Sequence, residues 1–343
     1  MPVLVKGGAM AYSDAQVLDA VKSYMFGSEH PDVVGYRNQS LERDLANGHR
    51  FVSSIREVCQ LGNFQRKHIL DVGCGLGWQA LAVSMIGDNS VIATDILPSM
   101  IDGAAECVNS LLAKGVKFDV TPIQADICNT DFPSDSFDGI YSLEAVEHVR
   151  DLPLMFDSCA RLLRRGGRMV IVNDCNVIDH KLRREIEAMW DQRERSWEWS
   201  NYLRSIRPVE HADARPFELM RREIVQAANP NLDDASVRSL VYATAGMLKA
   251  QIEEITLSFD KDARLPSRPE LDWCRNPITG EYAERLLNPF QMADTLRERG
   301  FSVKIRHGFH RKPFNLLNGI QFKPLNISLF NVRPLFILVA DKT

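Results

Sequence analysis

Short apolar runs rich in β-branched residues alternate with helical stretches through the middle of the chain. The runs lie between His68 and Asp174 and read HILDVG, SVIATDI, VKFDVTPI, FDGIYSLE and GRMVIVND. Strands that alternate with helices form a parallel sheet, because the chain has to cross the sheet between two parallel strands and a helix covers that distance. The pattern therefore predicts an α/β fold, with helices on both faces of a mostly parallel sheet.

Helical spacing of apolar residues dominates the segments on either side of this predicted sheet. Residues 15–60 are mostly helical in pattern, and Gly62 is a residue at which the last helix could stop. The segment 177–288 is polar and helical in pattern, and a helix, a strand and a final strand LFILVADK are expected after it. We divide the chain into an N-terminal helical cap at 1–62, a core at 63–176, a helical insertion after the fifth strand at 177–288 and the C-terminal part of the core at 289–343.

The composition limits the partners and the compartment that we expect. A formal net charge of −4 over 343 residues and a pI near 6.1 give the chain no bulk attraction to a polyanion, so nucleic acid is not expected as a partner. Seven cysteines without a CxxC pair favour a reducing compartment, and we expect a cytoplasmic location. No apolar run approaches the ~20 residues of a membrane-spanning helix, and the first ten residues lack the apolar region of a secretory signal.

Three glycines lie in the turn between the first predicted strand and the helix that follows it. Gly73, Gly75 and Gly77 fall within the segment HILDVGCGLGWQALAVS. Such a turn brings the free N–H groups and the positive dipole end of the helix to the carboxyl edge of the sheet, and glycine lets a ligand approach the backbone. Asp95 ends the next strand, where nucleoside-binding sheets place a carboxylate for the ribose. Asp126 follows the third strand and could accept a hydrogen bond from an adenine amino group.

Five motifs give the chain a family resemblance over residues 65–175. They are, in order, LDVGCGLG, VIATDILPSMI, ADI, FDGIYSLEAVEHV and LLRRGGRMVIV. Their order and spacing resemble the class I S-adenosylmethionine-dependent methyltransferases. A dinucleotide-binding turn would instead prefer a glycine three residues after Gly75, where this chain has Trp78. The resemblance implies a Rossmann-like class I methyltransferase fold whose seven-stranded sheet ends in a reversed hairpin, formed here by FSVKIRHGF and LFILVADK.

S-adenosylmethionine is the cofactor that the resemblance implies, bound to the core at 63–176. The family's motifs place it against Asp71, Gly73, Cys74, Gly75, Asp95, Ile96, Asp126, Ile127 and Glu144. Within this set, Asp95 would hold the ribose hydroxyls and Ile96 would pack on the adenine. Asp126 and Ile127 would contact the edge of the adenine.

Three residues suited to catalysis or metal binding follow the fourth strand in the segment SLEAVEHV. If a helix starts at Glu144, then Glu144, Glu147 and His148 lie on one face of it and point toward the donor methyl group. The Glu-x-x-Glu-His arrangement is similar to that of ubiquinone-pathway O-methyltransferases and small-RNA terminal 2′-O-methyltransferases, in which it is associated with a metal. A divalent ion would lower the pKa of an acceptor hydroxyl and orient it.

Two interpretations of this cluster stay open. In the first, Glu144, Glu147 and His148 hold Mg²⁺, Mn²⁺, Fe²⁺ or Zn²⁺. Candidates for a fourth ligand are Asn173, Asp174, Asn176 and His180. In the second interpretation no metal is bound, the glutamates complement the dipole of the helix and His148 is the general base. The three residues are the candidate catalytic residues in either case.

Two segments outside the family pattern leave the sheet at the edge where ligands bind. The insertion 177–288 and the stretch 308–333 are expected to build the acceptor pocket. Trp190, Trp197 and Trp199 either form an aromatic wall for a ring or sugar acceptor or pack the insertion onto the core. The run HGFHRKPF could hold an anionic substrate or a membrane headgroup, or form a solvated loop.

We expect methyl transfer from S-adenosylmethionine to an oxygen of a small molecule, such as a natural product, a sugar-containing compound or a phenol in a biosynthetic reaction. The alternatives are a small-RNA terminal 2′-O-methyltransferase, an N- or C-methyltransferase, and a catalytically silent subunit that binds the cofactor. Basic and acidic residues are interspersed in the insertion, which speaks against a basic groove for RNA. The sequence leaves open the acceptor and the oligomeric state, a homo-oligomer included.

Overall fold

A seven-stranded sheet lies at the centre of the computed structural model, which describes residues 3–4, 10–259, 265–308 and 335–343. Its strands are β1 (His68–Val72), β2 (Ser90–Asp95), β3 (Asp119–Gln124), β4 (Phe137–Leu143), β5 (Leu163–Asn173), β6 (Phe301–Gly308) and β7 (Leu335–Lys342). They are ordered β3-β2-β1-β4-β5-β7-β6. β1 to β5 run parallel, and β7 is antiparallel to both of its neighbours. The predicted mostly parallel sheet with a reversed terminal hairpin is confirmed.

The N-terminal segment forms three main helices. They are α1 (Asp14–Met25), α2 (Pro31–Tyr36), which continues as a π-helical turn to Leu41, and α3 (Gly48–Gly62). Asn47 caps α3, since its side chain accepts a hydrogen bond from the Arg50 amide at 3.1 Å. Asn63 has a left-handed φ of 52° and ends α3 after Gly62, where the sequence predicted a stop.

Helices cover both faces of the sheet. On one face α4 (Trp78–Gly87) and α5 (Pro98–Ala113) pack together with α1 and α3, and on the other face lies α6 (Leu152–Leu162). Their apolar side chains are removed from water between helix and sheet, for example Val83, Leu111 and Phe156. Such burial contributes roughly 25 cal/mol per Å² of apolar surface and holds the layers together. The predicted two-faced α/β arrangement is confirmed.

Five helices lie between β5 and the return of the chain to the sheet. They are α7 (His180–Arg195), α8 (Trp197–Ile206), α9 (Phe217–Ala228), α10 (Asp234–Ala243) and α11 (Lys249–Leu257). α12 (Pro289–Arg297) then leads into β6. α9, α10 and α11 share a small apolar core around Leu240 and Ile252. The segment is helical, while the domain boundaries at residues 62, 176 and 288 stay a prediction.

The N-terminal helices and the insertion are packed tightly against each other. Asp32 is completely buried, and its two carboxylate oxygens accept hydrogen bonds from the amides of Val209 at 2.7 Å and Glu210 at 3.1 Å. A Cβ at Gly35 would come within 2.2 Å of the carbonyl oxygen of Ile206, so only glycine allows this approach of α2 to the end of α8. The contacts fix the position of the residues that follow α8.

Three expectations from the sequence concern features outside the sheet. Residues 309–334 lie outside the described part of the chain, and with them most of the stretch 308–333 and of the run HGFHRKPF. All seven cysteines are free thiols in the structure. No helix among the described residues combines the length and the apolar character needed to span a bilayer.

A buried ion pair between α7 and α9 is expected to stabilise the insertion. The Arg221 guanidinium donates to both carboxylate oxygens of Glu194, at 3.1 and 2.5 Å, and the two side chains are only 3% and 4% exposed. Arg221→Met leaves a buried carboxylate without a partner and should lower the free energy of unfolding by about 3–5 kcal/mol, measured by urea denaturation. Arg215→Met breaks an exposed pair with Glu223 and should cost at most about 1 kcal/mol. Equal losses in the two variants would contradict the role of burial.

Candidate active site

A cavity of about 650 Å³ lies at the carboxyl ends of β1, β2 and β4. Its strand side is lined by loops that follow the strands, with Gly73, Gly75, Asp95, Ile96, Asp126, Ile127, Glu144 and His148. Its insertion side is lined by the N-terminal helices and the insertion, with Tyr36, Arg43, Arg193, Trp199, Tyr202, Arg207, Glu210, Phe217, Glu281, Tyr282 and Glu284. A cavity of this volume suits small ligands.

The three glycines after β1 all have left-handed backbone conformations but differ in what they face. The angle φ is 75° at Gly73, 52° at Gly75 and 77° at Gly77, a region that other residues enter only at a cost. A Cβ at Gly73 would lie 2.4 Å from the Ala145 side chain, and one at Gly77 would lie 2.7 Å from the Tyr24 hydroxyl. A Cβ at Gly75 would meet nothing within 4 Å. Gly75 therefore leaves room for a ligand, while the other two allow close packing within the protein.

Asp95, at the end of β2, closes this turn. Its Oδ2 accepts a hydrogen bond from the Gly75 amide at 2.9 Å, and its Oδ1 accepts one from the Leu97 amide at 3.0 Å. Burial raises the pKa of Asp95, and the two amide hydrogen bonds oppose that shift. Each carboxylate oxygen can accept more than one hydrogen bond. The side chain can therefore hold the turn and still accept hydrogen bonds from hydroxyl groups in the cavity.

Asp71 and Cys74 do not line the cavity in the described part of the chain. Asp71 is 2% exposed and accepts a hydrogen bond from the Tyr141 hydroxyl at 2.8 Å, and burial raises its pKa to about 8. The buried Cys74 thiol contacts the Gly75 carbonyl oxygen at 3.4 Å. Successive side chains of a strand point to opposite faces of the sheet. The side chain of Asp71 points into the protein interior. That Asp71 and Cys74 bind the cofactor stays a prediction, since their side chains face away from the cavity.

Ile96, Asp126 and Ile127 line the part of the cavity next to β2 and β3. Ile96 is 52% exposed, which makes it an apolar surface available to a flat ring. Asp126 accepts a hydrogen bond from the Cys128 amide at 2.9 Å and forms an ion pair with Arg150. This pair could not be predicted from the sequence, because nothing in the spacing of Arg150 and Asp126 shows that their loops meet. The carboxylate of Asp126 is therefore partly engaged before any ligand binds.

The segment after β4 is not the helix that the sequence predicted. Glu144 has a left-handed φ of 49°, which no α-helix contains, and a short 3₁₀ helix follows only at Val146–His148. Glu144 and His148 line the cavity. Glu147 is 3% exposed, and its carboxylate accepts a hydrogen bond from the Asn173 side chain at 2.5 Å. The prediction that the three side chains share one helical face is wrong.

His148 is the cavity residue best placed to move a proton. Its side chain is 38% exposed, and Nδ1 lies 3.0 Å from the Tyr282 carbonyl oxygen. A nitrogen that faces a carbonyl has to carry the hydrogen, so Nε2 carries the lone pair of the neutral ring. Nε2 lies 3.9 Å from Oε1 of Glu147. Burial opposes the charged imidazolium, yet the surrounding carboxylates, Glu147 above all, raise the pKa of His148 to about 9.

The carboxyl groups around His148 also bind protons more readily than usual. Burial raises the pKa of Glu144 well above its ordinary value, and repulsion from Asp174 adds to the effect. Burial likewise raises the pKa of Glu147 to about 7 and raises the pKa of Glu281. Glu144 also accepts a hydrogen bond from the Asp174 amide at 3.1 Å. This wall of the cavity can therefore exchange protons near neutral pH.

The predicted metal ligands do not converge on one point. Glu147 faces Cys175 and Glu284, and one ligand atom of each lies within 4.8 Å of the others. This group does not include the other two predicted ligands, Glu144 and His148. Burial raises the pKa of the Cys175 thiol, which donates a hydrogen bond to Glu284 at 3.2 Å. His180 is exposed at the start of α7 and is not among the described residues that line the cavity. The arrangement does not fit a metal held by the predicted set.

Sequence reasoning missed the loop that completes the cavity beside the histidine. The loop precedes α12 and is joined to the end of β5, because the Leu287 amide donates to the Cys175 carbonyl at 2.6 Å. It is joined to α7 by the Trp190 indole, which donates to the Glu284 carbonyl at 2.8 Å. Tyr282 and two carboxylates of the loop thereby enter the cavity wall. The one available signal was that the insertion leaves the sheet at its carboxyl edge.

The three tryptophans of the insertion have three different environments. Trp190 is fully buried, with its ring edge-on to that of Trp273 at 5.4 Å. Trp199 lines the cavity, 5.4 Å from the Tyr202 ring. Trp197 is half exposed. The sequence left two alternatives open, packing onto the core and an aromatic wall. Trp190 fits the first, and Trp199 lines the cavity as the second requires.

Residues 70–171 match a family described as "Methyltransferase domain". This part of the chain is therefore similar to a methyltransferase domain. The match runs from β1 to β5 and includes the glycine turn, Asp95 and the segment with Glu144 and His148. The N-terminal helices and the insertion lie outside the matched residues 70–171.

Two curated relatives and one solved structure are similar to the chain. Phosphoethanolamine N-methyltransferase 1 of Arabidopsis thaliana is 30% identical over 42% of this chain and 30% of its own length. O-methyltransferase resE of Aspergillus sclerotiorum is 31% identical over 35% of this chain and 45% of its own length. The crystal structure of an S-adenosylmethionine dependent methyltransferase from Mesorhizobium loti has 14% identity and a TM-score of 0.43, covering 84% of this chain and 96% of that one. The chain spans less than half the length of these two curated relatives.

Asp95→Ala is expected to weaken the binding of S-adenosylhomocysteine. The change removes the carboxylate that is predicted to accept the ribose hydroxyls and that tethers Gly75, and lost hydrogen bonds to a charged group cost about 1.5–3 kcal/mol. Isothermal titration calorimetry measures the loss. Asp102→Ala, on the exposed surface of α5, is the matched control and should bind like the wild type. Wild-type affinity in a folded Asp95→Ala variant would refute the assignment.

Proposed function

We propose that this chain is an S-adenosylmethionine-dependent O-methyltransferase whose acceptor is a small molecule bound on the insertion side of the cavity. The observation that carries the proposal is the presence of His148 in the same cavity as Gly75 and Asp95. A cavity of about 650 Å³ and a net charge of −4 support a small acceptor rather than RNA. The O-methyltransferase among the relatives is consistent with an oxygen acceptor.

The strand side of the cavity fits the cofactor. S-adenosylmethionine, when bound, supplies an electrophilic methyl group on a sulfonium. Gly75 offers backbone with open space above it, and Asp95 offers carboxylate oxygens for ribose hydroxyls. Ile96 offers an exposed apolar side chain for the adenine, next to Ile127 and Asp126. These residues are proposed to bind and orient the cofactor, so that its methyl group faces the insertion side.

His148 is proposed to accept the proton that the acceptor hydroxyl loses. The Tyr282 carbonyl holds the hydrogen on Nδ1, so Nε2 is the proton-accepting atom of the neutral ring. His148 would lose its own proton more readily beside a sulfonium cation, because like charges disfavour each other. Oε1 of Glu147 lies 3.9 Å from Nε2, close enough for its negative charge to stabilise the proposed imidazolium.

The proposed general base makes activity depend on pH. His148 works only when neutral, and its pKa of about 9 means that methyl transfer should increase as pH rises from 6 toward 9. Glu281→Gln removes a carboxylate that raises this pKa and should move the rise to lower pH. His148→Asn should reduce turnover about 10²–10⁴-fold, with unchanged affinity for S-adenosylhomocysteine. An unmoved profile in Glu281→Gln, or an active His148→Asn enzyme, would exclude His148 as the base.

Chelation separates the general base from the metal hypothesis. Because the predicted ligands do not converge, the enzyme should keep full activity in EDTA, assayed by methyl transfer from labelled cofactor. Glu147→Gln preserves an oxygen that can accept the Asn173 hydrogen bond and should stay active, with its pH profile shifted to lower pH. Activity that disappears in EDTA and returns with Mg²⁺ or Mn²⁺ would restore the metal hypothesis.

N-methylation is the second candidate. Glu144, Glu281 and Glu284 line the cavity and could hold an ammonium group, and the relatives include an N-methyltransferase. An amine acceptor would also need a base, because the free amine and not the ammonium is the nucleophile. Assays with paired hydroxyl and amine compounds, followed by mass spectrometry of the product, distinguish the two candidates.

A further inference from the structure

Arg193 lies in the wall of the cavity and has no carboxylate partner among the described residues. It lies on α7, one helical turn after Met189, and both residues line the cavity. Within the described ranges its guanidinium forms no ion pair and no hydrogen bond, and Nη1 is shielded from solvent. The guanidinium lies over the Phe217 ring, 4.6 Å from its centre. The side chain is thus held in place by an aromatic ring, while its nitrogen donors have no protein acceptor.

The other arginines of the cavity are neutralised by the protein. Arg43 pairs with Asp44 at 3.0 Å, Arg207 pairs with Glu210 at 2.9 Å, and Arg150 pairs with Asp126. The Glu210 carboxylate is thereby occupied. Among the described arginines that line the cavity, Arg193 alone lacks a carboxylate partner. An external anion would complete the same pattern.

The surroundings of Arg193 destabilise its charged guanidinium when no anion is bound to it. Burial lowers the pKa of Arg193, since a guanidinium loses hydration there. The carboxyl of Glu281 also lines the cavity, but burial raises its pKa, so it is a weak counter-ion. A planar guanidinium has donors that match both oxygens of a carboxylate or phosphate. The rings of Phe217, Trp199 and Tyr202 supply apolar walls next to it.

We propose that Arg193 binds an oxyanion of the methyl acceptor, so that the acceptor is an aromatic hydroxyl compound that carries a carboxylate or phosphate group. This inference rests on the proposed function, because it assigns Arg193 to the acceptor and not to the cofactor. The hydroxyl end of the acceptor would face His148, and the oxyanion would lie against α7.

The test uses the full chain saturated with S-adenosylhomocysteine and three probes that share one ring: benzoate, phenyl phosphate and the neutral benzamide. Wild-type protein should bind benzoate or phenyl phosphate at least 10-fold more tightly than benzamide, by calorimetry. The stronger of the two anions identifies the oxyanion. Arg193→Gln should weaken anion binding roughly 10- to 100-fold and leave benzamide binding unchanged. Arg193→Lys keeps the charge and should retain part of the preference.

Arg195→Gln is the matched control. Arg195 lies on the same helix, is 63% exposed and pairs with Glu218 at 3.1 Å, so its loss should leave all three probes unaffected. The inference would be overturned if wild-type protein bound neither benzoate nor phenyl phosphate more tightly than benzamide. A loss of S-adenosylhomocysteine affinity in a folded Arg193→Gln variant would overturn it as well, because Arg193 would then hold the cofactor carboxylate.

The experiment also distinguishes failure of the proposed function from failure of this inference. If wild-type protein does not bind S-adenosylhomocysteine, the proposed function fails. The comparison of benzoate with benzamide then proceeds without cofactor and still decides whether Arg193 binds an oxyanion. If the cofactor binds and the anion preference is absent, the inference about Arg193 fails and the proposed function stands.

Discussion

The hydrogen bond from the Gly75 amide to the Asp95 carboxylate is the interaction on which the strand side of the cavity depends. It joins the turn after β1 to the end of β2, and it forms because the glycines allow left-handed backbone. The amides of Gly73 and Cys74 both donate to the Thr94 carbonyl at 2.9 Å, so the turn is held to β2 at three points. These restraints keep the space above Gly75 open.

The ionisable groups around His148 shift the pKa values of one another. Burial raises the pKa values of carboxyl groups such as Glu144 and Glu147. The neighbouring carboxylates raise the pKa of His148. Glu147 lies out of the cavity and bonded to Asn173, so it acts on the site through the imidazole. The proposed cofactor carries a positive charge and would favour the deprotonated form of His148.

Segments far apart in the sequence hold the insertion side in place. Asp32 in α2 accepts hydrogen bonds from the amides after α8, and Trp190 in α7 donates to the loop before α12. Each of these polar groups is buried, and each is satisfied by a backbone atom of another segment. The shape of the insertion side therefore follows from packing between segments that are distant in the sequence.

The sequence by itself determined the parallel strands, the glycine turn and the position of Asp95, because each depends on local periodicity or on glycine, which enters left-handed backbone without strain. The reversed terminal hairpin was implied by the family resemblance. It did not determine which way the segment after β4 turns, since the left-handed φ at Glu144 belongs to a residue that seldom adopts it. Only the tertiary structure turned Glu147 inward, brought Tyr282 to His148 and left Arg193 without a partner in the described part of the chain. Those outcomes depend on contacts between distant segments, and no spacing along the chain encodes them.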